Sequence, residues 1–370
     1  MPWHVRITHT MINVAIIGSQ GVPASYGGFE SLVENLLGEN CPQDIHYTVF
    51  CSSKDMKPLD GGSYRGASLR YIPLRANGIQ SIPYDIMSML KAVRNFDVIL
   101  ILGVSGCLFM PLLRAMTRAR IIVNIDGLEH RRQKWGTMAK RILRASEAMA
   151  VKYADIVVAD NKGIVEYVRD TYGKEAVLIA YGGDQVIRDV DDAVSKTILD
   201  TYGLQDSGYA ISLCRIEPEN NCDMILESFA SREASLPLVF IGNWSHSAYA
   251  QSLRQRYATV SGIHIIDAIY DLDRLWVLRS RAALYVHGHS AGGTNPSLVE
   301  AMFLGIPIAA YDVNYNRHTT GELASYFSNA DNLRRLAANI EFAQGQKLKT
   351  YASDAYRWSK IARQYTDLFR

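Results

Sequence analysis

The turn GSQGVPASYGGFE (18–30) sets Gly21, Gly27 and Gly28 ahead of a helix. Glycine lets a backbone come close to a ligand, and a helix start offers free N–H groups and positive potential to an anion. The spacing is neither G-x-G-x-x-G nor the Gly-Lys-Ser/Thr of a phosphate-binding loop. That counts against a nicotinamide dinucleotide site and against an NTPase. A tight turn made only for packing is the plain alternative. Further on, VNIDGLEHRRQKW (123–135) places Asn124, Asp126 and Glu129 at a strand end, followed by Arg131, Arg132 and Lys134. A carboxylate beside cations can orient or deprotonate a hydroxyl while the cations hold phosphate. For Asp126 the competing role is a helix cap.

The second half holds two more such stretches. LCRIEPENN (213–221) puts Arg215 directly after a strand, where a guanidinium can grip phosphate with two hydrogen bonds; a surface arginine is the bland reading. HGHSAGGTNPSLVEAMFLGIP (287–307) runs through Gly292, Gly293, Thr294 and Asn295 into a helix that carries Glu300. Loop amides at a helix start suit a diphosphate, and an inward carboxylate can accept from a ribose hydroxyl. Replacing Glu300 by Gln is therefore expected to weaken nucleotide binding and leave the fold intact. His287 and His289 could be ligands or acids, yet strand-end histidines are more often structural. No third partner sits at a metal-binding spacing, so no metal is expected.

Short apolar, β-rich runs alternate with longer amphipathic stretches, and these elements must position the motifs. NVAIIG, HYTVFCS, LRYIPL, FDVILILG, RIIVNIDG and ADIVVAD read as strands, with helical segments between most of them. After residue 182 the pattern restarts with YAISLCR, PLVFIGN, GIHIIDAI, AALYVHG and IPIAAYD. Such alternation implies parallel sheets covered by helices on both faces. The chain thus reads as two doubly wound α/β units, 11–182 and 183–350. A terminal helix at about 351–370 is expected to pack back on the first unit. The strand pattern begins only after Met11, which makes Met11 the alternative start to Met1.

Composition sets the bounds. The 370 residues are 48% hydrophobic and 21% charged, which excludes disordered and collagen-like classes. Five cysteines show no C-x-x-C spacing, and MPWHVRITHT lacks the apolar run of a secretory leader. A cytoplasmic, reducing compartment fits. The longest uncharged stretch, 98–113, falls short of the ~20 residues a spanning helix needs and is broken by glycine and proline. Net charge is +2, but residues 1–182 hold 21 Lys and Arg against 16 Asp and Glu. Residues 114–144 hold nine basic side chains, with Asp126 and Glu129 as the only acids. That block suggests anionic partners, and peripheral, salt-sensitive contact with an anionic membrane surface is expected. A solvated helix face is the alternative.

Taken together, VAIIGSQGVPASYGGFESLVE, NIDGLEHRRQKW, RIEPENN, FIGNW and HGHSAGGTNPSLVEAM resemble the retaining GT-B glycosyltransferases of family 4. More narrowly, they resemble the bacterial rhamnosyltransferase branch whose N-terminal half was long filed as a domain of unknown function. The resemblance implies two Rossmann-like doubly wound domains facing a central cleft, an N-terminal acceptor domain and a C-terminal donor domain. It implies transfer of a hexosyl group, best read as L-rhamnose from dTDP-L-rhamnose, to a polyprenyl-diphosphate-linked sugar. The donor nucleotide would be dTDP or UDP, with no cofactor, no metal and no nucleic-acid partner. Arg215 matches the family's diphosphate arginine and Glu300 the second glutamate of its E-x7-E pair. Gly292 stands where the first glutamate is usual, Asn220 where a lysine is, and Asp126 where a catalytic histidine is. Asp126, Glu129 and Arg215 are the implied catalytic residues. Gly27, Gly28, Asn220, Asn243, Tyr270, Gly292, Gly293, Thr294, Asn295 and Glu300 are the implied donor contacts, and Arg131, Arg132 and Lys134 the acceptor or phosphate contacts. A GT-B sugar-nucleotide epimerase and a non-catalytic nucleotide-sugar binder are the rival readings.

Overall fold

The structure is a computed structural model that describes residues 11–24, 27–38, 41–131, 136–230 and 234–370. It divides into two units. One comprises the chain up to Asp160 with Ile164–Ile179 and Trp358–Arg370; the other comprises Asn161–Gly163 and Ala180–Arg357.

In the first unit β1 (Ile12–Ile17) leads through the glycine turn to α1 (Gly28–Leu36) and β2 (Ile45–Ser52). A hairpin of β3 (Ser63–Tyr64) and β4 (Ala67–Ile72) follows, then α2 (Ser81–Ala92) and β5 (Val98–Leu102). The chain continues through α3 (Met110–Met116), β6 (Arg120–Asn124), α4 (Thr137–Tyr153), β7 (Ile156–Ala159), α5 (Lys162–Tyr172) and β8 (Val177–Leu178). The sheet order is β3-β4-β2-β1-β5-β6-β7-β8, parallel except for the β3–β4 hairpin. Central strands such as Val98–Leu102 are buried along their whole length, as strands covered on both faces must be. Strand order reverses between β1 and β5, and the loops leaving their carboxyl ends part there to make a crevice. At that point Gly18 (φ +100°) lies against β5: a Cβ on it would fall 2.0 Å from the Leu102 carbonyl oxygen.

The second unit starts with α6 (Asp192–Thr201), capped by the Asp191 carboxylate. It builds β9 (Ala210–Leu213), α7 (Cys222–Phe229), β10 (Leu238–Gly242), α8 (Ala248–Tyr257) and β11 (Ile263–Asp267). Next come α9 (Leu272–Ser280), β12 (Leu284–His287), α10 (Pro296–Leu304), β13 (Ile308–Tyr311), α11 (Asn314–Thr320) and β14 (Ser325–Phe327). Helices α12 (Ala330–Ala338) and α13 (Ala343–Ala355) complete it. The sheet order is β11-β10-β9-β12-β13-β14, so its reversal falls between β9 and β12.

The last helix, α14 (Trp358–Phe369), belongs to the first unit. Its Tyr365 hydroxyl meets the Asn124 side-chain amide at 2.7 Å, and the Leu368 carbonyl accepts from Arg120 at 2.7 Å. Phe369 packs edge-on against Tyr47. All eleven strands read from apolar runs are present. β3, β8 and β14, of two or three residues each, are too short to leave a pattern.

Candidate functional site

In the first unit the candidate residues collect at the carboxyl edge of the sheet. Glu30 of α1 is 8% exposed and accepts the Gln20 backbone N–H at 2.8 Å, which ties down the glycine turn. Burial raises its carboxyl pKa, hydrogen bonds from the backbone lower it, and the negative charge of Asp126 adds to the rise. Gly27 sits at φ +124°, and a Cβ there would lie 1.9 Å from Glu30 Oε2. The glycine therefore makes room for this carboxylate, and Gly28 opens the helix. Asp126 is half-buried after β6 in a left-handed conformation (φ +52°), which few non-glycine residues adopt and which gathers at functional sites. Its backbone N–H donates to Asn124 Oδ1 at 2.9 Å, and Asn124 is itself held by Tyr365. Glu129 starts a single 3₁₀ turn, Glu129–Arg131. The side chain of Arg131, and Arg132 and Lys134 altogether, lie outside the described residues.

Two carboxylates in this unit carry no sequence signal. Glu147 of α4 is 2% exposed and accepts from His130 Nδ1 at 3.1 Å and from the Tyr167 and Tyr172 hydroxyls at 2.7 Å each. Burial alone would raise its pKa, but these hydrogen bonds outweigh it and hold the carboxyl below its usual range. Glu147 thus anchors the turn that carries Glu129. Asp85 of α2 is fully buried and accepts the Gly106 N–H at 3.1 Å. Burial pushes its carboxyl up to about 8, against a smaller downward pull from that hydrogen bond.

In the second unit the loops after β9 and β12 meet at the strand reversal and are tied together. Asn220 Nδ2 donates to the Arg215 carbonyl at 2.7 Å. A carbonyl only accepts, so Asn220 Oδ1 must be the atom facing His289 Nδ1 at 2.7 Å, and that ring nitrogen carries the proton. Asn221 Nδ2 donates to the Gly288 carbonyl at 2.8 Å. Ser290 gives both its N–H (2.9 Å) and its hydroxyl (2.8 Å) to the Glu219 carbonyl. A Cβ on Gly288 would stand 2.1 Å from the Asn220 carbonyl oxygen, so only glycine lets the two loops close. Asn220 is 3% exposed, with both ends of its amide used in this tie. It holds Arg215 and His289 in place, at the position where the resemblance implies a donor contact. Arg215 itself is exposed, and its guanidinium has no hydrogen-bond or carboxylate partner among the described residues. His287 is 2% exposed with Nε2 unpartnered; burial, then the neighbouring His289, drives its pKa well below the usual value and keeps it neutral.

The side chains of the loop into α10 are engaged within the protein. Gly292 takes φ +97°, and Thr294 is buried with its hydroxyl near Asn161. Asn295 caps α10, accepting from the Ser297 N–H (3.1 Å) and hydroxyl (2.8 Å). With Gly293, what this loop can offer a ligand is its backbone. Asn243 likewise folds onto Ser245, and Tyr270 is 78% exposed.

Glu300 has partners that the sequence does not reveal. One carboxylate oxygen accepts from Arg279 Nη1 at 2.7 Å and the other from Gln185 Nε2 at 2.8 Å. Arg279 is 1% exposed and spends its other terminal nitrogen on the Ser297 carbonyl. Glu300 is thus the counter-charge of a buried guanidinium, so its replacement by Gln is expected to cost stability as well as nucleotide affinity. Beside the pair lies a cavity of about 130 Å³ walled by Val186, Leu275 and Trp276.

Residues 11–184 match a family described as a domain of unknown function, DUF1972. Residues 195–363 match the family described as glycosyl transferases group 1. No curated protein matches the chain. Among solved structures it is similar to sucrose-phosphate synthase from Thermosynechococcus elongatus, with a TM-score of 0.80, 18% identity and coverage of 97% of this chain and 98% of that one. It is also similar to HepE of Anabaena, solved with UDP-glucose (0.73, 12% identity, 96% and 99% covered). A putative UDP-N-acetylglucosamine 2-epimerase from Listeria monocytogenes shares the fold too (0.61, 14% identity, 96% and 95% covered). At these identities the structural likeness speaks for the fold, and the match of residues 195–363 speaks for the chemistry. The chain is a two-domain α/β protein of the GT-B fold, a DUF1972 domain followed by a glycosyl transferases group 1 domain.

Proposed function

We propose that the protein moves a hexosyl group, with retention, from a nucleotide-diphosphate sugar to a polyprenyl-diphosphate-linked sugar in surface-polysaccharide synthesis. L-Rhamnose from dTDP-L-rhamnose is the donor we favour, in keeping with the family 4 rhamnosyltransferase branch that the motifs resemble. The observation that carries the reading is Arg215: an exposed guanidinium with no partner among the described residues, on a backbone tied through Asn220 to His289 in the loop that leads into α10. There it can take charge from a leaving diphosphate, together with the amides at the start of α10. Glu300 has four acceptor positions, of which Arg279 and Gln185 occupy two, so it can still receive a ribose hydroxyl. In the first unit, which would receive the acceptor, Asp126 would orient a hydroxyl in the transition state, a role its left-handed backbone at a strand end supports.

Arg215→Ala is the test. Loss of one charge-assisted contact costs about 1.5–3 kcal/mol, a drop in kcat/KM of roughly 10- to 150-fold with a parallel loss of dTDP or UDP affinity. Unchanged kinetics would remove Arg215 from the site. Mass spectrometry of nucleotide sugars incubated with and without a lipid-diphosphate sugar separates the rival reading, since an epimerase converts the nucleotide sugar alone.

A further inference from the structure

The basic block of the first unit also carries apolar side chains for which the fold has no use. Helices α3 and α4 connect β5 to β6 and β6 to β7, stepping the same way along the sheet. Right-handed crossovers in one direction put both helices side by side on one face. Their inner sides are buried through Met110 and Leu113 of α3 and Leu143, Ala150 and Val151 of α4. On the outer side Leu108, Leu112 and Met116 recur every fourth residue and are 46%, 53% and 44% exposed. Met138 and Ile142 repeat that spacing on α4 at 68% and 39%. Arg118, Arg141 and Arg144 are exposed around these rows with Lys140 half-exposed, and none has a carboxylate partner among the described residues. Residues 107–125 and 130–146 contain no Asp or Glu, and Glu147 is buried. Not all of the block is available: Arg114 is paired with Asp155 and Arg120 with the Leu368 carbonyl.

We infer that the outer side of α3 and α4 is the surface on which this protein lies on an anionic lipid bilayer. The apolar rows enter the boundary between headgroups and acyl chains, and Arg118, Lys140, Arg141 and Arg144 meet lipid phosphates. Among the described residues no helix is long and apolar enough to cross a membrane, so the contact lies in the interface plane. Charge selects the occupant: Arg118, Lys140, Arg141 and Arg144, without a carboxylate partner among the described residues, flank an apolar stripe, the complement of an anionic headgroup layer over hydrocarbon. The inference deepens the lipid-linked acceptor of the proposed function, on which it rests for its purpose. It also alters the expectation of purely electrostatic contact, because insertion of the apolar rows leaves a salt-resistant component.

The full chain is floated with phosphatidylcholine vesicles holding roughly one-third phosphatidylglycerol, and with phosphatidylcholine alone. Binding is expected to the anionic vesicles, falling with added salt to a residual level and not to zero. The double change Met138→Ser and Ile142→Ser should weaken binding roughly tenfold or more, and Arg141→Glu should weaken it further at low salt. Both positions are exposed, so the melting temperature and the calorimetric affinity for dTDP or UDP should not move. That affinity reports the donor reading separately, so either idea can fail alone. No binding at low salt, or binding that the serine changes leave intact, overturns the inference. So does a dimer in sedimentation that the same changes dissociate, because the rows would then face a second copy.

Discussion

Asp126 asks for a particular substitution. At φ +52° alanine would add about 1 kcal/mol of backbone strain, whereas asparagine tolerates the left-handed region as aspartate does. Asp126→Asn therefore changes charge and little else. If the carboxylate orients or deprotonates a hydroxyl in the transition state, kcat should fall ~10²–10⁴-fold with donor affinity and melting temperature nearly unchanged. Full activity in this variant would move the role to Glu129. Glu300→Gln should behave otherwise. It leaves the Arg279 guanidinium buried without its counter-charge, and breaking such a pair costs about 3 kcal/mol or more. Chemical denaturation should show that loss alongside weaker nucleotide binding; a wild-type denaturation midpoint would mean that Arg279 finds relief elsewhere. Arg215, Glu300 and Asp126 could be picked out from motifs because each sits in a run of unusual composition. Arg279, Glu147 and the tie through Asn220 could not, since each depends on a partner 17 to 69 residues away.

At the scale of elements, helix α2 is pinned to the loop after β5 by a carboxyl group that titrates far from its ordinary range. The folded pKa of Asp85, about 8, stands above an unfolded value of about 3.9. The native state thus keeps a proton that the unfolded chain gives up. Its stabilising contribution is whole below about pH 4 and fades as pH climbs toward 8. Asparagine still accepts the Gly106 N–H and cannot ionise, so Asp85→Asn should raise the melting temperature more at pH 8 than at pH 5. Melting curves that shift in parallel at both pH values would show that another group titrates. The strands were legible because parallel strands covered on both faces read as unbroken apolar runs. The ties between loops were not, because a hydrogen bond such as Asn221 to Gly288 leaves no periodicity.

On the scale of the whole molecule, each unit has one strand reversal, between β1 and β5 in one and between β9 and β12 in the other; the glycine turn leaves β1, Asp126 follows the neighbouring β6, and Arg215 and the loop into α10 follow β9 and β12. The alternation of strands and helices was enough to foresee two such sheets. Which loops close on each reversal was not, because strand order is absent from a linear pattern. The strand-end position marked Arg215, the resemblance gave it a diphosphate role, and only the structure reveals the Asn220 tie that holds its backbone.

Helix α14 has a consequence for the order in which the protein is made. The first unit's strands leave the ribosome early, yet Tyr365 and Phe369, 0% and 4% exposed, come at the close of the chain. Until they arrive, Asn124 and Tyr47 lack the partners they have in the finished unit. The first unit is thus completed only after the whole second unit has been translated. A fragment of residues 11–179 should therefore be poorly soluble or loosely packed, and a peptide of residues 358–370 added to it should restore a cooperative melt. A fragment that melts cooperatively without the peptide would show that the newborn domain does not wait for its last helix.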